Sequence, residues 1–141
     1  MAGPVTQDCI HARIRHAGRA LGRFYDEALR PAGLSATQFT LLATLDRIGD
    51  ATVAELADRV GMHRTTLTRN LRVMQRAGWI KRQPGLDRRT QILSTSRAGS
   101  ERVTEALPLW RAVHRQAAGR LGERREQRLL RYLDRLIALN D

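Results

Sequence analysis

Residues 52–94 read TVAELADRVGMHRTTLTRNLRVMQRAGWIKRQPGLDRRTQILS, a stretch in which two helical patterns are followed by two strand-like runs. In the first pattern Thr52 is an N-cap, and Glu55 three residues later completes a capping box. Gly61 ends this helix, and a second helix is predicted over residues 64–77. The runs WIKRQ and RTQILS then flank PGLDR, whose Pro-Gly pair predicts a turn. The stretch therefore predicts two short helices and a β-hairpin.

The second predicted helix has two different faces, as the recognition helix of a winged helix-turn-helix requires. On a wheel of 100° per residue its apolar side chains fall together, and its opposite side carries hydroxyls and guanidiniums. Arginine can donate two hydrogen bonds to guanine or phosphate, and threonine can contact a phosphate or a base edge. The first turn, from Arg64 to Thr66, also offers backbone N–H groups to phosphate. The apolar residues are Leu67, Leu71 and Met74, and the polar ones are Thr65, Arg69, Arg72 and Arg76.

The alternative for this face is a solvated charge run, which is disfavoured because no acid lies between Asp58 and Asp87. At the hairpin tip, Arg88 and Arg89 stand where a wing would reach the minor groove, whose negative potential attracts arginine. A carboxylate aimed at phosphate would be repelled. We therefore expect Asp87 to turn inward and brace one of the two arginines, preferably Arg89, through a charge-assisted bond. The alternative is an exposed tip without a target.

Helical patterns also flank this stretch. Residues 9–29 carry apolar residues at steps of three and four, with Arg13, Arg19 and Arg23 on the other side. Ser35 is predicted to cap the next helix, and Ser96 to begin another that Pro108 should kink or break. A last helical segment is predicted over residues 123–139. The fold class is therefore mainly α with a small β-hairpin wing.

Composition narrows the function classes. The 141 residues carry a formal net charge of +11, which favours polyanionic partners. No apolar run approaches the roughly 18 residues of a membrane span, and no signal-peptide core is seen, so we expect a cytoplasmic protein with no membrane partner. Cys9 alone cannot form an intrachain disulfide, and Cys9 and His11 cannot share a helix face around a metal. No nucleophile, paired-carboxylate or phosphate-loop pattern is found, so no catalytic residue, metal or cofactor is expected.

Two other binding classes remain as rivals. A sequence-neutral or architectural nucleic-acid binder would share the charge, but would not need the capped helix-turn-helix, and RNA modules expose stacking aromatics that this chain nearly lacks. A winged helix used for protein contacts would favour an electroneutral recognition face, whereas this face is basic.

These motifs together resemble the MarR family of bacterial transcription regulators. The matching pieces are GLSATQFTLLATL, TVAELADRVGMHRTTLTRNLRVMQRAGWIKR, DRRTQILSTSRAG and helices at both ends, which cover nearly the whole chain. The resemblance implies one domain over residues 1–141, with dimerisation helices at about 9–30 and 97–139 and a DNA-binding lobe at about 35–95. It departs at His63, where Asp or Ser is the common cap, and at the polar run of residues 94–96.

The resemblance also implies a homodimer on a pseudo-palindromic operator, acting as a repressor rather than an activator. The terminal apolar stripes agree, since they are too long for one protomer to cover. The DNA contacts implied are Arg64, Thr65, Thr66, Thr68, Arg69, Arg72, Asp87 and Arg89.

Regulators of this kind respond to small phenolic or other anionic ligands, or to cysteine oxidation. A ligand crevice would be lined by His11, Arg15, Tyr25 and Phe39, although a His or Tyr at a dimer seam can equally be an ordinary interface residue.

Cys9 has a sensor interpretation and an inert one. It lies near a helix start with Arg13 one turn on, and both features favour the thiolate. However, the peroxide-sensing branch would place its cysteine two residues later, at His11, and two residues turn a helix by about 200°. Cys9 is therefore a redox sensor, a partner in an intersubunit disulfide, or an inert residue.

Overall fold

The computed structural model describes residues 9–87 and 89–140, with only the backbone of Asn140. The described chain is mainly helical with one small antiparallel sheet, which confirms the predicted fold class. Its elements are α1 (Ile10–Leu29), a 3-10 turn (Arg30–Ala32), α2 (Ala36–Ile48), β1 (Ala51–Thr52), α3 (Val53–Val60), α4 (Arg64–Arg76), β2 (Ile80–Pro84), β3 (Gln91–Thr95), α5 (Arg97–Leu121), α6 (Glu123–Ile137) and a last 3-10 turn (Ala138–Asn140).

Local capping sets the starts of α2 and α3. The Ser35 hydroxyl accepts the Gln38 N–H at 3.1 Å, and the Gln38 side chain accepts the Ser35 N–H at 3.0 Å. Thr52 and Glu55 make the same reciprocal pair, with N–O distances of 3.1 and 2.7 Å. Gly61 then adopts a left-handed conformation at φ 62°, which lets α3 end and α4 begin in a tight turn. The cap predicted at Ser35 and the capping box predicted at Thr52 and Glu55 are both confirmed.

The sheet has three strands in the order β1-β3-β2, all antiparallel. The β2–β3 hairpin pairs Ile80 with Thr95 and Pro84 with Gln91, as the predicted wing requires. The strand β1, in which Ala51 pairs with Leu93, was not predicted, because two residues are too few to show an alternating pattern. It ties the start of α3 to the base of the wing.

The main core lies between α2, α3, α4 and the sheet. Its fully buried side chains are almost all leucines, each of which contributes about 1.5–3 kcal/mol on burial. The α5 helix closes one side of this core with Ala106. The large side chains of the core with less than 2% exposure are Leu29, Leu41, Leu42, Leu45, Leu56, Leu67, Leu71, Met74 and Leu93.

The terminal helices extend from this core. The predicted break at Pro108 is not found, since α5 runs unbroken through it. Proline has no backbone N–H, so the helix loses one hydrogen bond at Pro108. The burial of Ala106 and Val113 on either side of it stabilises the helix in spite of this loss. The chain breaks instead at Gly122, at φ 81°. Among the described residues, α6 buries no side chain, and no helix is long and apolar enough to cross a membrane.

Candidate nucleic-acid interface

The helix α4 presents the two faces that its sequence predicts. Leu67, Leu71 and Met74 point into the core with at most 1% exposure. The opposite side is exposed apart from the half-exposed Thr68. An open, shallow concavity on this surface is lined by Arg64, Thr65, Thr66, Thr68, Arg69 and Arg72. The exposed surface also includes Arg76, so all seven residues predicted on this helix lie on accessible surface.

The first turn of α4 leaves its backbone N–H groups open. His63 is the N-cap residue, but its side chain makes no capping hydrogen bond in the described structure, and no acid lies in the first turn. Asn70 donates to the Thr66 carbonyl at 2.9 Å, an i to i−4 contact that leaves these N–H groups untouched. An anion can therefore meet the positive end of the helix dipole without displacing a protein group.

The wing tip is a tight turn closed by backbone hydrogen bonds. The Gly85 N–H donates to the Thr90 carbonyl, and the Thr90 N–H to the Asp87 carbonyl, each at 2.8 Å. Asp87 does turn back on the loop, but its carboxylate accepts the backbone N–H of Arg89 at 3.1 Å. The predicted inward turn is found, but the preferred partner, the Arg89 guanidinium, is wrong, because aspartate satisfies the N–H two residues on more readily in so short a loop. Bracing of Arg88 lies outside the described residues.

Of the two arginines at the tip, Arg88 and Arg89, the structure describes Arg89. Arg89 is exposed, and no ion pair between it and Asp87 occurs in the part of the chain that the structure describes. Its guanidinium is available to an external anion. The predicted contact at Arg88 lies outside the described residues.

The base of the wing is clamped to the start of α5. The Ser96 hydroxyl donates to the Gly78 carbonyl at 2.5 Å and accepts the Gly99 N–H at 3.0 Å. The Ser96 N–H donates to the Trp79 carbonyl at 2.9 Å, and Arg102 lies 5.6 Å from the Trp79 ring centre. A β-carbon at Gly99 would lie 2.1 Å from the Trp79 carbonyl oxygen. Sequence reasoning missed Gly99, since nothing local distinguishes a helical glycine packed on a strand.

A second cluster joins the terminal helices to α2. The Tyr25 hydroxyl lies 3.2 Å from His114 Nδ1, and His114 Nε2 lies 3.4 Å from Glu126. The His114 ring stacks on Trp110 at 4.9 Å, and Trp110 stacks on Phe39 at 6.0 Å between ring centroids. Burial, and next the Glu126 charge, raise the pKa of Tyr25 above its usual value. The cluster therefore links α1, α2, α5 and α6 through one hydrogen-bonded and stacked set of side chains.

The predicted effector residues are only partly brought together. Tyr25 and Phe39 belong to this cluster, whereas His11 and Arg15 are exposed on α1. They precede Tyr25 by 14 and 10 residues, which places them about 21 and 15 Å away along the helix. One protomer thus does not gather all four residues around one crevice. Cys9 is the half-exposed N-cap of α1, and no group of three metal-binding side chains occurs within the described ranges.

The sequence profile of the MarR family matches residues 32–90. The structure of the M. tuberculosis transcriptional regulator MosR in complex with DNA is 39% identical, with a TM-score of 0.84, covering 92% of this chain and 94% of that one. An uncharacterized HTH-type transcriptional regulator of Bacillus subtilis (strain 168), YwoH, is 27% identical over 101 residues, which are 72% of this chain and 73% of YwoH.

The fold is shared more widely than the sequence. A cysteine-to-serine mutant of MarR from E. coli, complexed with operator DNA, is 21% identical and has a TM-score of 0.84, covering 96% of this chain and 99% of that one. At this identity the likeness concerns the arrangement of helices and wing alone.

Proposed function

Since the chain belongs to the MarR family of winged helix-turn-helix transcription regulators, we propose that it regulates transcription by binding a specific double-stranded DNA sequence as a homodimer. One observation carries the proposal: α4 is backed by three buried side chains and turns an acid-free face of arginines and threonines to solvent. A fixed row of donors on a rigid helix is suited to reading base edges in a major groove. MosR, the 39% identical relative, is itself in complex with DNA.

Each part of the lobe has a place on the duplex in this proposal. The α4 helix enters the major groove, where Arg69 and Arg72 reach base edges and Thr65, Thr68 and Arg76 contact bases or phosphates. The open N–H groups at Arg64 and Thr66 bind phosphate. The wing follows the adjacent minor groove, with Arg89 as the described cation at its tip and Arg88 beside it in the sequence.

The homodimer is supported by what one protomer leaves uncovered. Large apolar side chains of the terminal helices are 40–74% exposed. Contiguous apolar surface of this kind is unfavourable in water and marks a surface that a partner covers. In this proposal α1, α5 and α6 are the dimerisation helices, and the two α4 helices bind half-sites about 34 Å apart on a pseudo-palindromic operator. The exposed residues are Ile10, Ile14, Leu21, Leu121, Leu129, Leu130, Tyr132, Ile137 and Leu139.

The regulatory part of the proposal concerns release from DNA. We place the protein in the cytoplasm as a non-catalytic repressor, released by a small aromatic or anionic effector near Tyr25 and Phe39 or by oxidation of Cys9. Tyr25 already contacts His114 across helices, so a ligand that bound there would compete with a contact between α1 and α5.

Selection of bound duplexes from a random DNA pool tests this function. The purified protein should recover a palindrome whose half-site centres lie one helical turn apart, and binding of the winners should retain a sequence preference at every salt concentration. Recovery of no motif, with an affinity that simply collapses as salt rises, would contradict the proposal. The arginines would then serve phosphate alone, as in a sequence-neutral nucleic-acid binder.

A further inference from the structure

The last long helix, α6, carries a row of arginines on one side. Successive members are four, three and four residues apart, so on a wheel of 100° per residue they fall within an arc of about 60°. The row spans about 16 Å of helix at 1.5 Å per residue. All of its members are exposed. We name the row the α6 arginine stripe; it consists of Arg124, Arg128, Arg131 and Arg135.

Within the described part of the chain, no ion pair offsets the positive charge of the α6 arginine stripe. The ion pairs found among the described residues join Arg97 with Glu101, Arg102 with Glu105 and His114 with Glu126, and none includes the stripe. The acids of α6 itself lie at least about 60° around the helix from it. Glu126 in particular is turned toward α5, where it meets His114. Four guanidiniums therefore face solvent together.

The stripe stays exposed when the apolar side of α6 is covered. Leu129, Leu133 and Leu136 lie about 140° around the helix from the centre of the stripe. In the homodimer of the proposed function, on which this step rests, the second copy covers that apolar side. A basic amphipathic helix needs a free apolar face to bind a lipid surface. Once that face is covered, only the guanidiniums are left for a partner.

The stripe is also remote from the recognition surface. The α6 helix packs on α5 and on the 3-10 turn that follows it. Glu126 of α6 contacts His114 of α5. His114 lies 17 residues after Arg97, the first residue of α5. The contact is therefore about 25 Å along α5 from the base of the wing. A duplex held by α4 and the wing therefore leaves the stripe free.

We propose that the α6 arginine stripe binds the phosphate backbone of a second DNA duplex while α4 and the wing hold the operator. Four guanidiniums over about 16 Å match the roughly five phosphates that one DNA strand presents over that length at 3.4 Å each. Arginine is the side chain best suited to bidentate phosphate contact. Because its contacts are to phosphates, which carry no sequence information, the stripe binds without sequence preference, and a dimer with two stripes bridges separate DNA segments.

A two-duplex capture experiment tests this surface. An operator duplex recovered by selection is immobilised and saturated with the full chain, and a labelled 40-base-pair duplex of scrambled sequence is then added at several salt concentrations. The variant R124Q/R128Q/R131Q/R135Q removes four charges from the stripe. Its matched control, R19Q/R23Q/R111Q/R115Q, removes four exposed arginine charges from α1 and α5.

The stripe variant should hold the operator within about twofold of wild type but capture at least tenfold less of the second duplex. A plot of log binding constant against log salt concentration gives the salt dependence of capture. Its slope should be steeper for wild type than for the stripe variant by about 3.6, or 0.9 for each of four phosphate contacts. The control variant should capture like wild type. Circular dichroism and sedimentation should show that both variants remain helical dimers.

Three results would overturn the inference while leaving the proposed function intact. One is undiminished capture by the stripe variant, and another is an equal loss in both variants, which would reduce the effect to net charge. The third is stripe-dependent binding to vesicles of phosphatidylserine and phosphatidylcholine, with no capture of DNA, which would instead assign the surface to lipid. Failure of wild type to hold any operator is a failure of the proposed function and is seen before the second duplex is added.

Discussion

The lobe around α4 and the terminal helices differ in how much of their own apolar surface they bury. Among the side chains that the structure describes, nine large ones are fully buried; eight lie in the segment from α2 to β3, and the ninth, Leu29, lies in α1. Two helices of the lobe start with complete capping boxes, whereas α1 and α6 start without a side-chain cap within the described chain. One protomer therefore buries most of the lobe's large apolar side chains by itself, whereas many of those on the terminal helices stay exposed in one protomer.

The largest expected effect is a cavity in the lobe. Leu71→Ala removes a side chain with 0% exposure from the core side of α4, and it should lower the free energy of unfolding by about 2–5 kcal/mol. Urea denaturation followed by circular dichroism measures this loss. Leu130→Ala, at 52% exposure on α6, is the matched control and should cost under about 1 kcal/mol in a sample diluted to monomers. Equal losses would erase the contrast between the two regions.

The clamp where the regions meet is the next test. Gly99→Ala places a methyl against the Trp79 carbonyl, so α5 must shift, at a cost of about 1–3 kcal/mol. Gly119→Ala in the same helix has no atom within 4 Å of the new methyl, and it should raise stability by about 0.5–1 kcal/mol. Thermal unfolding of both variants measures whether each substitution lowers or raises the stability. If Gly99→Ala left the stability unchanged, the base of the wing would be looser than its geometry indicates.

On the surface of the lobe, Arg72→Ala should weaken operator binding by about 1–3 kcal/mol and relax the preference at one base position. Fluorescence anisotropy against the operator and its single-base variants measures both effects. Arg97→Ala, which removes an exposed arginine paired with Glu101 outside α4, is the control. If Arg72→Ala changed neither affinity nor preference, the proposed orientation of α4 on DNA would be wrong.

On the terminal helices, Leu130→Glu should weaken the dimer at least tenfold, or by about 1.4 kcal/mol, without unfolding the lobe. Analytical ultracentrifugation over a concentration series gives the dissociation constant. Gln127→Glu adds the same charge to the polar side of α6 and should leave it unchanged. A dimer that is indifferent to Leu130→Glu would exclude this face from the interface.

The smallest effect is a pH dependence confined to the lobe. The hydrogen bond that the Thr52 backbone N–H donates to the Glu55 carboxylate, and next the Thr52 side chain, lower the pKa of Glu55 below its usual value. A depressed folded-state pKa gives stability that is present above the unfolded pKa and lost as pH falls through the folded one. Wild type should therefore lose slightly more stability than Glu55→Gln on acidification below about pH 5. Parallel acid titrations would contradict this assignment.

The lobe was predictable in detail because its signals are local. Serine and threonine caps, the Gly61 turn and the apolar spacing of α4 each lie within a few residues of what they specify. The sequence did not reveal the contacts between distant residues. Tyr25 and His114 are 89 positions apart, and the close approach of Gly99 to Trp79 depends on how α5 crosses the sheet. The hydrogen bond of Asp87 was misassigned because a side-chain partner and a backbone partner are equally near in sequence.

The clamp between Ser96, Gly99 and the base of the wing has a consequence for DNA spacing. These contacts tie the wing to the start of α5, so in the proposed homodimer we expect the distance and twist between the two DNA-binding lobes to follow how the two α5 helices pack. Each base pair inserted between half-sites moves the second one by about 3.4 Å and turns it by about 35°. In the proposed dimer a lobe mounted on α5 in this way resists that rotation, so we expect operator binding to depend on half-site spacing as well as on base identity.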